Sequence, residues 1–373
     1  MKNWAARFRE LDPRVQYGLL LAVVLLFPLI IRSSRWVQVA NYFWVYALLG
    51  LSLNIILGYA GLFQLGHAAF YAVGAYTVAI LNTRFGVPVI VLIPLSGLLA
   101  AIFGVLISRP ILHLRGDYLC IVTIGFGEIV RIALRNLEIT GGPNGIFGIG
   151  RPSLFGITLR QQWHYYYLFL GFVVLTVFAM KRLEDSRLGR AWLYVREDEL
   201  AAEAMGVDTV HVKLLAFALG AAWAGVVGGL YASWITVIAP ESFSFWESVV
   251  MFCIVVLGGT GSIPGVLVGT VGMVVLPELL REVLLNIQQW RMLIFGAAMI
   301  FMMVVRPEGL WPSQRFRREL ELAKEMGVKF IACTTSMGIM GIGKEAFIPG
   351  VDSFAGVATY LAEAREGKIN LFI

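Results

Sequence analysis

The sequence between Tyr17 and Val305 consists largely of apolar runs, each about 20 residues long. A bilayer core roughly 30 Å thick requires about 20 apolar residues of a helix that crosses it. Hydrophobic residues make up 58% of the 373 residues and charged residues 14%, whereas soluble domains carry about 25% charged residues. The runs lack the alternation of β-barrel strands, so we predict an all-α polytopic integral membrane protein.

The apolar runs predict about 8–10 transmembrane helices. Their predicted positions are near 17–32, 36–57, 62–81, 87–108, 117–135, 163–180, 212–234, 242–260, 263–284 and 289–305. The segments 62–81 and 117–135 are the weakest as full crossings. A retained helix near 17–32 is favoured over a removable signal peptide, because no small-residue cleavage site follows it.

One polar segment, residues 181–211, separates two apolar runs, and we call it the island. Its stretch Glu197–Met205 reads E-D-E-L-A-A-E-A-M and is followed by Gly206. Ala and Glu favour a helix and glycine suits a helix stop, so a short helix is predicted here. Such a helix can dock on a soluble partner, and the alternative is a solvated linker helix.

Basic residues set the predicted orientation. They cluster at the N-terminus, in the loop with Arg109 and Arg115, in the island, and after Arg306. Ten spans place an even number of crossings between these clusters, so both termini are predicted to be cytoplasmic. Arg32 and Arg35 do not fit this orientation, because they fall in a loop predicted to lie on the opposite side of the membrane. The net charge of +6 then reflects membrane topology and requires no nucleic-acid partner.

Glycine patterns indicate close helix packing and a possible internal repeat. Gly225 and Gly229 have the four-residue spacing that lets helix backbones approach, as does the set Gly261, Gly265 and Gly269. The string Leu57-Gly-Tyr-Ala-Gly61 is echoed by Leu257-Gly-Gly-Thr-Gly261. Such glycine-broken segments in two halves of a transporter can mark broken helices beside a pathway.

Ionisable residues inside spans are expensive in lipid and usually face protein or water. Glu128 and Arg131 lie three residues apart, close enough to pair on a helix. They either neutralise each other as structural support or lie beside a polar substrate route. Gln64 and His67 lie near a predicted span end, and His67 alone does not make a metal site, so no metal is expected.

Several sequence blocks, in order from about residue 15 to 312, resemble permeases of branched-chain amino acid ABC importers, and in particular their larger, LivM-type subunit. The blocks are Asn54-Ile-Ile-Leu-Gly-Tyr-Ala-Gly-Leu-Phe-Gln-Leu-Gly-His-Ala-Ala-Phe70, Gly116-Asp-Tyr-Leu, Gly125-Phe-Gly-Glu-Ile-Val-Arg131, Thr140-Gly-Gly-Pro-Asn-Gly145, Arg187-Leu-Gly-Arg190, Ala201-Ala-Glu-Ala-Met-Gly206, Leu257-Gly-Gly-Thr-Gly-Ser-Ile-Pro-Gly265 and Arg306-Pro-Glu-Gly-Leu310.

The resemblance implies a multi-pass permease of the cytoplasmic (inner) membrane that is not an enzyme and binds no cofactor. It implies a second permease subunit, two cytosolic ATPases that use ATP and Mg²⁺, and a periplasmic or extracellular substrate-binding protein; the remaining contacts are with membrane lipids. A string resembling a nucleotide-binding loop, Gly338-Ile-Met-Gly-Ile-Gly-Lys344, is followed by Glu345 where a Ser or Thr would bind Mg²⁺, so we interpret it as chance.

The resemblance also implies site residues. The ATPase-coupling residues are Arg187, Gly189, Arg190, Glu199, Ala202, Glu203, Ala204 and Gly206. The glycine-broken segments and the polar residues in or near spans supply the candidate substrate pathway, which comprises Gly58, Gly61, Gln64, His67, Glu128, Arg131, Gly258 and Gly261. Related permeases serve urea, short amides or aromatic acids, so these substrates stay open beside leucine, isoleucine and valine. A secondary transporter and an intramembrane enzyme are the alternative classes.

After residue 312 the sequence becomes soluble in character, so we divide the chain into a transmembrane domain, 1–312, and a cytosolic tail, 313–373, with a short α/β-like pattern. Val328-Lys-Phe-Ile-Ala-Cys333 is typical of a strand that ends in a cysteine. The tail resembles the C-terminal half of small DsrE-like sulfur-relay proteins, in which the matching cysteine carries sulfur. Half of such a domain lacks much of its core, which favours a remnant; a working sulfur or redox sensor that uses Cys333 is the alternative.

Overall fold

A computed structural model describes residues 24–29, 33–112, 114, 116–154, 157–283, 296–297, 309–313, 322, 324–327, 331–333 and 353–355. The chain forms two compact units, Met1–Pro312 and Ser313–Ile373, and each is considered by itself. Much of the predicted span near 17–32 and almost all of the one near 289–305 lie outside the described residues.

The first unit is mostly helical. Its helices are α1 (Ser34–Asn54), α2 (His67–Phe85), α3 (Val89–Ile111), α4 (Asp117–Asn136), α5 (Gln162–Glu184), α6 (Arg187–Glu197), α7 (Glu199–Ala204), α8 (Thr209–Ile235), α9 (Phe245–Gly258), α10 (Ile263–Thr270) and α11 (Leu276–Val283). A π-helical turn, Ile55–Tyr59, extends α1, and another, Val271–Val275, joins α10 to α11.

Among the described residues, five helical segments are long and apolar enough to cross a membrane. They are Ser34–Tyr59, Val89–Ile111, Gln162–Glu184, Thr209–Ile235 and Pro240–Gly258. The predicted class, a helical multi-pass membrane protein, is confirmed; the total number of crossings stays a prediction. The segments predicted as the weakest crossings form α2 and α4. The helix of the first begins at His67 rather than at residue 62, because residues 61–66 are non-helical and Gly61 has a left-handed φ of 70°.

Helix α8 lies at the centre of this unit and packs against α1, α2 and α3. A Cβ on Gly225 would lie 2.4 Å from the Ala100 Cβ, and one on Gly74 would lie 2.1 Å from the Gly225 carbonyl oxygen. Only glycine lets these backbones approach so closely. The predicted role of Gly225 and Gly229 in helix packing is therefore confirmed.

The unit has two distinguishable ends. We call the one that carries α6 and α7 the island end; α1 and α5 finish there and α8 begins there. At the opposite end Arg35 pairs with Glu278 at 2.8 Å, which joins the start of α1 to α11. That end also carries strands β1 (Ile146–Phe147), β2 (Ser153–Leu154), β3 (Ile157–Thr158) and β4 (Val237–Ile238).

The loop after α4 is structured. Two 3₁₀ turns, Glu138–Thr140 and Gly142–Asn144, precede β1, which pairs antiparallel with β4. Strands β2 and β3 form a second antiparallel pair. This structure ties the loop to the chain that enters α9.

In the second unit, strand β5 (Ile331–Cys333) pairs in parallel with strand β6 (Ser353–Ala355). Cys333 is the last residue of β5 and lies opposite Ala355 in the register. The predicted strand that ends in a cysteine is thus confirmed over its last three residues.

Candidate coupling and translocation site

The island forms two short helices, each with its own N-cap, and not the single helix predicted from Glu197. The Ser186 hydroxyl caps α6 by accepting the Gly189 N–H at 3.1 Å. Asp198 caps α7 by accepting the N–H groups of Leu200 at 2.9 Å and Ala201 at 3.0 Å. Because an N-cap residue is non-helical, Asp198 ends the first helix and starts the second. The predicted start at residue 197 is therefore wrong by two residues.

Helix α7 exposes most of its side chains. Leu200 is 63% exposed and Met205 is 72% exposed, while Ala202 is buried; Glu203 and Ala204 are exposed as well. Gly206 ends the segment with a φ of 84°, as expected of a glycine helix stop. An exposed surface of this kind, apolar at Leu200 and Met205 and charged at Glu203, can dock on another protein.

Buried contacts hold the island to α8. The Lys213 Nζ lies 2.5 Å from the Glu199 Oε1, and the Lys213 side chain is 6% exposed. The Trp192 Nε1–H donates to the Val212 carbonyl at 2.7 Å, and Trp192 is fully buried. At the start of α8 the His211 backbone N–H, together with the His211 ring, holds the pKa of Asp208 below its usual value. The island is thus fixed to the base of the central helix.

The remaining coupling residues of α6 divide between surface and core. Gly189 is buried, and a Cβ there would lie 2.2 Å from the Leu183 carbonyl oxygen. Arg187 and Arg190 are exposed, and the Arg190 Nη1 donates to the Asp185 carbonyl at 2.9 Å. Gly189 therefore lets α6 turn closely against the end of α5, and the two arginines face outward.

The island also contacts the first glycine break, residues 55–66. The Arg196 Nη1 donates to the Gly58 carbonyl oxygen at 2.6 Å. A Cβ on Gly61 would lie 2.8 Å from the Arg196 Cγ. Tyr59 and Trp192 stack with their ring centroids 6.4 Å apart. Three neighbouring residues of the break therefore lie directly against α6.

The two glycine breaks meet each other at Asn54. Its Oδ1 accepts the Gly261 N–H at 2.9 Å, and Asn54 is fully buried. A Cβ on Gly58 would lie 2.0 Å from the Asn54 Oδ1 and 2.5 Å from the Gly261 nitrogen. The echo between the strings around Gly58 and Gly261 thus corresponds to a contact in space.

The second break, residues 258–262, is held by the segment that follows the last predicted span. The N–H groups of Leu310 and Trp311 donate to the carbonyls of Leu257 at 2.9 Å and Gly258 at 2.8 Å. Ser262 is the last residue of the break, and its hydroxyl caps α10 by accepting the Gly265 N–H at 3.1 Å. Leu310 and Trp311 thus pair with the end of α9.

Buried polar groups lie beside the first break and the start of α2. Gln64 is 1% exposed, and neither of its side-chain amide atoms has a hydrogen-bond partner among the residues that the structure describes. The fully buried His67 lies with its Nε2 2.7 Å from the Ser52 Oγ, while its Nδ1 has no described partner. Buried polar groups without partners are rare in folded proteins, so this cluster is the best candidate for contact with a polar ligand.

Glu128 and Arg131 form an ion pair with each other on α4, and the Arg131 Nη1 also lies 2.8 Å from the Glu241 Oε2. Glu241 belongs to the turn between β4 and α9 at the opposite end. These contacts favour the structural interpretation of the pair. Helix α4 nevertheless contacts the first break at Gly127, one turn before Arg131. A Cβ on Gly127 would lie 3.3 Å from the Gly66 Cα.

Reasoning from the sequence identified the glycines but missed Asn54, Arg196 and Trp192. Arg196 counted only as one of several positive charges, and Trp192 as one of 10 tryptophans. Asn54 lies within a motif that assigns it no role. A polar side chain one helical turn before a glycine break was the available signal.

The comparisons with known proteins agree with the sequence motifs. Residues 35–303 match a family model described as the permease component of the branched-chain amino acid transport system. The chain is 41% identical over 332 residues to the high-affinity branched-chain amino acid transport system permease protein LivM of Salmonella typhimurium, covering 83% of this chain and 77% of that protein. It is 28% identical over 286 residues to the permease protein LivH of the corresponding system in Escherichia coli, covering 71% and 90%.

The C-terminal part of the chain matches a different family. Residues 274–372, a range that includes the tail and overlaps the first match at 274–303, match the DsrE/DsrF/DrsH-like family model. Over 54 residues the chain is 48% identical to the uncharacterized protein YrkE of Bacillus subtilis, covering 14% of this chain and 33% of that protein. No solved structure matches.

Proposed function

This chain belongs to the family of permease components of branched-chain amino acid transport systems, and from that membership we propose that it translocates leucine, isoleucine and valine in an ABC importer. It is a polytopic membrane permease subunit and not an enzyme. Permease subunits of this class bind no cofactor themselves, so ATP and Mg²⁺ are bound and used by the partner ATPases.

The observation that carries the proposal is the direct contact between the island and the first glycine break, made by Arg196 and Gly58. An importer driven from outside the membrane needs an element that touches both the motor and the pathway. Helix α6 touches the break, and α7 next to it exposes Leu200 and Met205.

Within the island we assign separate roles to the coupling residues. The exposed Glu203, Ala204 and Gly206 meet the ATPase, together with Arg187 and Arg190. Gly189 and Ala202 are buried and let the two helices pack closely. Glu199 neutralises the buried Lys213, because an unpaired ammonium in such a place would be costly.

We assign the substrate route to the region of the two breaks, with Gly58, Gly61, Gly258 and Gly261 as its flexible backbone. An amino acid needs partners for its ammonium and carboxylate groups as well as apolar surroundings. The available hydrogen-bonding partner is the Gln64 amide, which has none among the described residues. The start of α2 at His67 adds a helix dipole that favours negative charge. Glu128 and Arg131 support α4 beside this route.

The assembly follows from the same premise. The relatives include both LivM and LivH permeases, which supports a second permease subunit beside this chain. We add two cytosolic ATPases at the island end and a periplasmic or extracellular binding protein at the opposite end. This places the island, the N-terminus and the C-terminus on the cytoplasmic side of the inner membrane. Lipid covers the remaining apolar surface, and no nucleic acid is involved.

We place the domain boundary at residue 312. The transmembrane domain, 1–312, carries transport. The tail, 313–373, is a DsrE-like remnant, because the matched segment corresponds to about a third of YrkE and an incomplete core rarely supports precise chemistry.

The test of the substrate is competition. The chain, its partner permease, the ATPases and the binding protein are reconstituted into vesicles, and ATP-dependent uptake of labelled leucine is measured. Excess unlabelled isoleucine or valine should abolish it, while urea, a short amide and phenylalanine should not. Absent leucine uptake, with ATPase activity still stimulated by the loaded binding protein, would move the substrate to one of those other classes.

A further inference from the structure

Two hydrogen bonds and one glycine connect the island to both glycine breaks. The first bond runs from the Arg196 guanidinium to the Gly58 carbonyl oxygen at 2.6 Å. In an uninterrupted α-helix this carbonyl would accept the Leu62 N–H. Here the Leu62 N–H instead bonds to the Ile56 carbonyl at 3.0 Å. The π-helical turn thus frees the Gly58 carbonyl for a cationic donor from outside the helix.

The second bond runs from the Gly261 N–H to the Asn54 Oδ1 at 2.9 Å, in a fully buried setting. Gly58 lies against this bond so closely that a Cβ there would be 2.5 Å from the Gly261 nitrogen. Gly58 therefore makes both contacts: its carbonyl accepts from Arg196, and its backbone packs against the Asn54–Gly261 hydrogen bond.

The second break contains glycines whose conformations suit a hinge. Gly259 has a φ of 121° and Gly261 a φ of 79°, conformations that glycine adopts without strain. The first break has the same property at Gly61, with a φ of 70°. Residues of this kind can absorb the backbone rotation of a hinge.

We propose that Arg196 and Asn54 are positioning residues that transmit movement of the island to both glycine breaks at once. We call this connection, from Arg196 through Gly58 and Asn54 to Gly261, the relay. The proposal rests on the proposed function in that it takes the island to be moved by an ATPase. A shift of α6 pulls on the Gly58 carbonyl through a charge-assisted bond, which is stronger than a neutral one. Because Gly58 fills the space beside Asn54, the second break cannot keep its place when the first one moves.

Matched controls exist at the opposite end of the molecule. The Arg84 Nη2 also donates to a backbone carbonyl, that of Ile139, at 3.3 Å. The Asn82 Oδ1 also accepts a glycine N–H, that of Gly150, at 2.6 Å. R84A and N82A therefore remove the same kinds of side chain and the same kinds of bond without touching the island or the breaks.

The first readout is the number of leucine molecules imported per ATP hydrolysed by the reconstituted transporter. R196A and N54A should lower this ratio about tenfold or more while ATP hydrolysis continues. R196K should restore part of it, since it keeps a cationic donor. The R196A/N54A double variant should be no worse than either single variant, because both break one relay. Unchanged ratios in R196A, or equal losses in R84A and N82A, would overturn the proposal.

The second readout does not depend on the substrate. Phe63 lies in the first break and is 50% exposed, so a spin label at F63C, in a chain without other cysteines, reports on that segment. Trapping the ATPases with a non-hydrolysable ATP analogue should change the label's spectrum in the parent and in R84A, but not in R196A. A response that survives in R196A, or no response in the parent, would contradict the relay. If leucine uptake is absent but the label responds as expected, the substrate assignment fails and the relay stands.

Discussion

The aromatic rings of Tyr59 and Trp192 stack with their planes inclined by 23° and their centroids 6.4 Å apart. Tyr59 is the last residue of the π-helical turn, and Trp192 lies in the middle of α6. Both side chains are buried. The island therefore packs into the membrane domain through an aromatic core as well as through Arg196.

Removing Trp192 should detach the island from α8. W192A leaves a cavity and removes the indole donor to the Val212 carbonyl, and we expect a loss of about 3–5 kcal/mol in stability. W192F keeps most of the ring contact and loses the N–H donor, so it should cost about 1–3 kcal/mol. Thermal unfolding in detergent measures both, and equal stability of W192A and the parent would show that this core is not formed.

Gly61 should tolerate no side chain. An alanine there meets strained backbone and places its Cβ 2.8 Å from the Arg196 Cγ. Gly86 is the matched control, since its φ of 66° is similar and nothing lies within 4 Å of its Cβ position. G86A should cost about 1 kcal/mol through strain alone, whereas G61A should also reduce uptake. Thermal stability and leucine uptake are measured for both variants. Equal uptake by G61A and G86A would contradict the close packing at Gly61.

The exposed surface of α7 should be required for coupling. E203K should uncouple ATP hydrolysis from import while the chain still accumulates in the membrane, because Glu203 is exposed. G206V should uncouple as well and should also cost stability, because valine is strained at the Gly206 φ of 84°. L200E should weaken binding of the ATPases, which co-purification measures. Glu138, exposed at the opposite end, supplies the control E138K. Normal coupling in E203K and G206V would remove the docking role of α7.

Much of this arrangement follows from the sequence, and the reasons are local. The apolar runs predict the helices, and Gly206 predicts where the island helix stops. The echo between Gly58 and Gly261 predicts a paired feature. The start of α7 was missed because Asp198 belongs equally well to a helix until its capping bonds are seen. The roles of Asn54 and Arg196 depend on partners 207 and 138 residues away, which no local pattern contains.

Cys333 should behave as an ordinary thiol if the tail is a remnant. Labelling with a thiol reagent across pH should then give a midpoint near the usual pKa of about 8.5. C120A/C253A removes the other two cysteines, so that the signal belongs to Cys333 alone. A midpoint well below this value would mean a stabilised thiolate and would support a working sulfur or redox site.

The measurement that tests the account most directly is the energy source of uptake. Vesicles that contain the chain, its partner permease and the ATPases are loaded with ATP, and binding protein with labelled leucine is added outside. Ionophores then collapse all ion gradients. We predict that uptake continues under these conditions and stops when ATP is replaced by a non-hydrolysable analogue. Uptake that survives without ATP and disappears with the gradients would identify a secondary transporter and contradict the account.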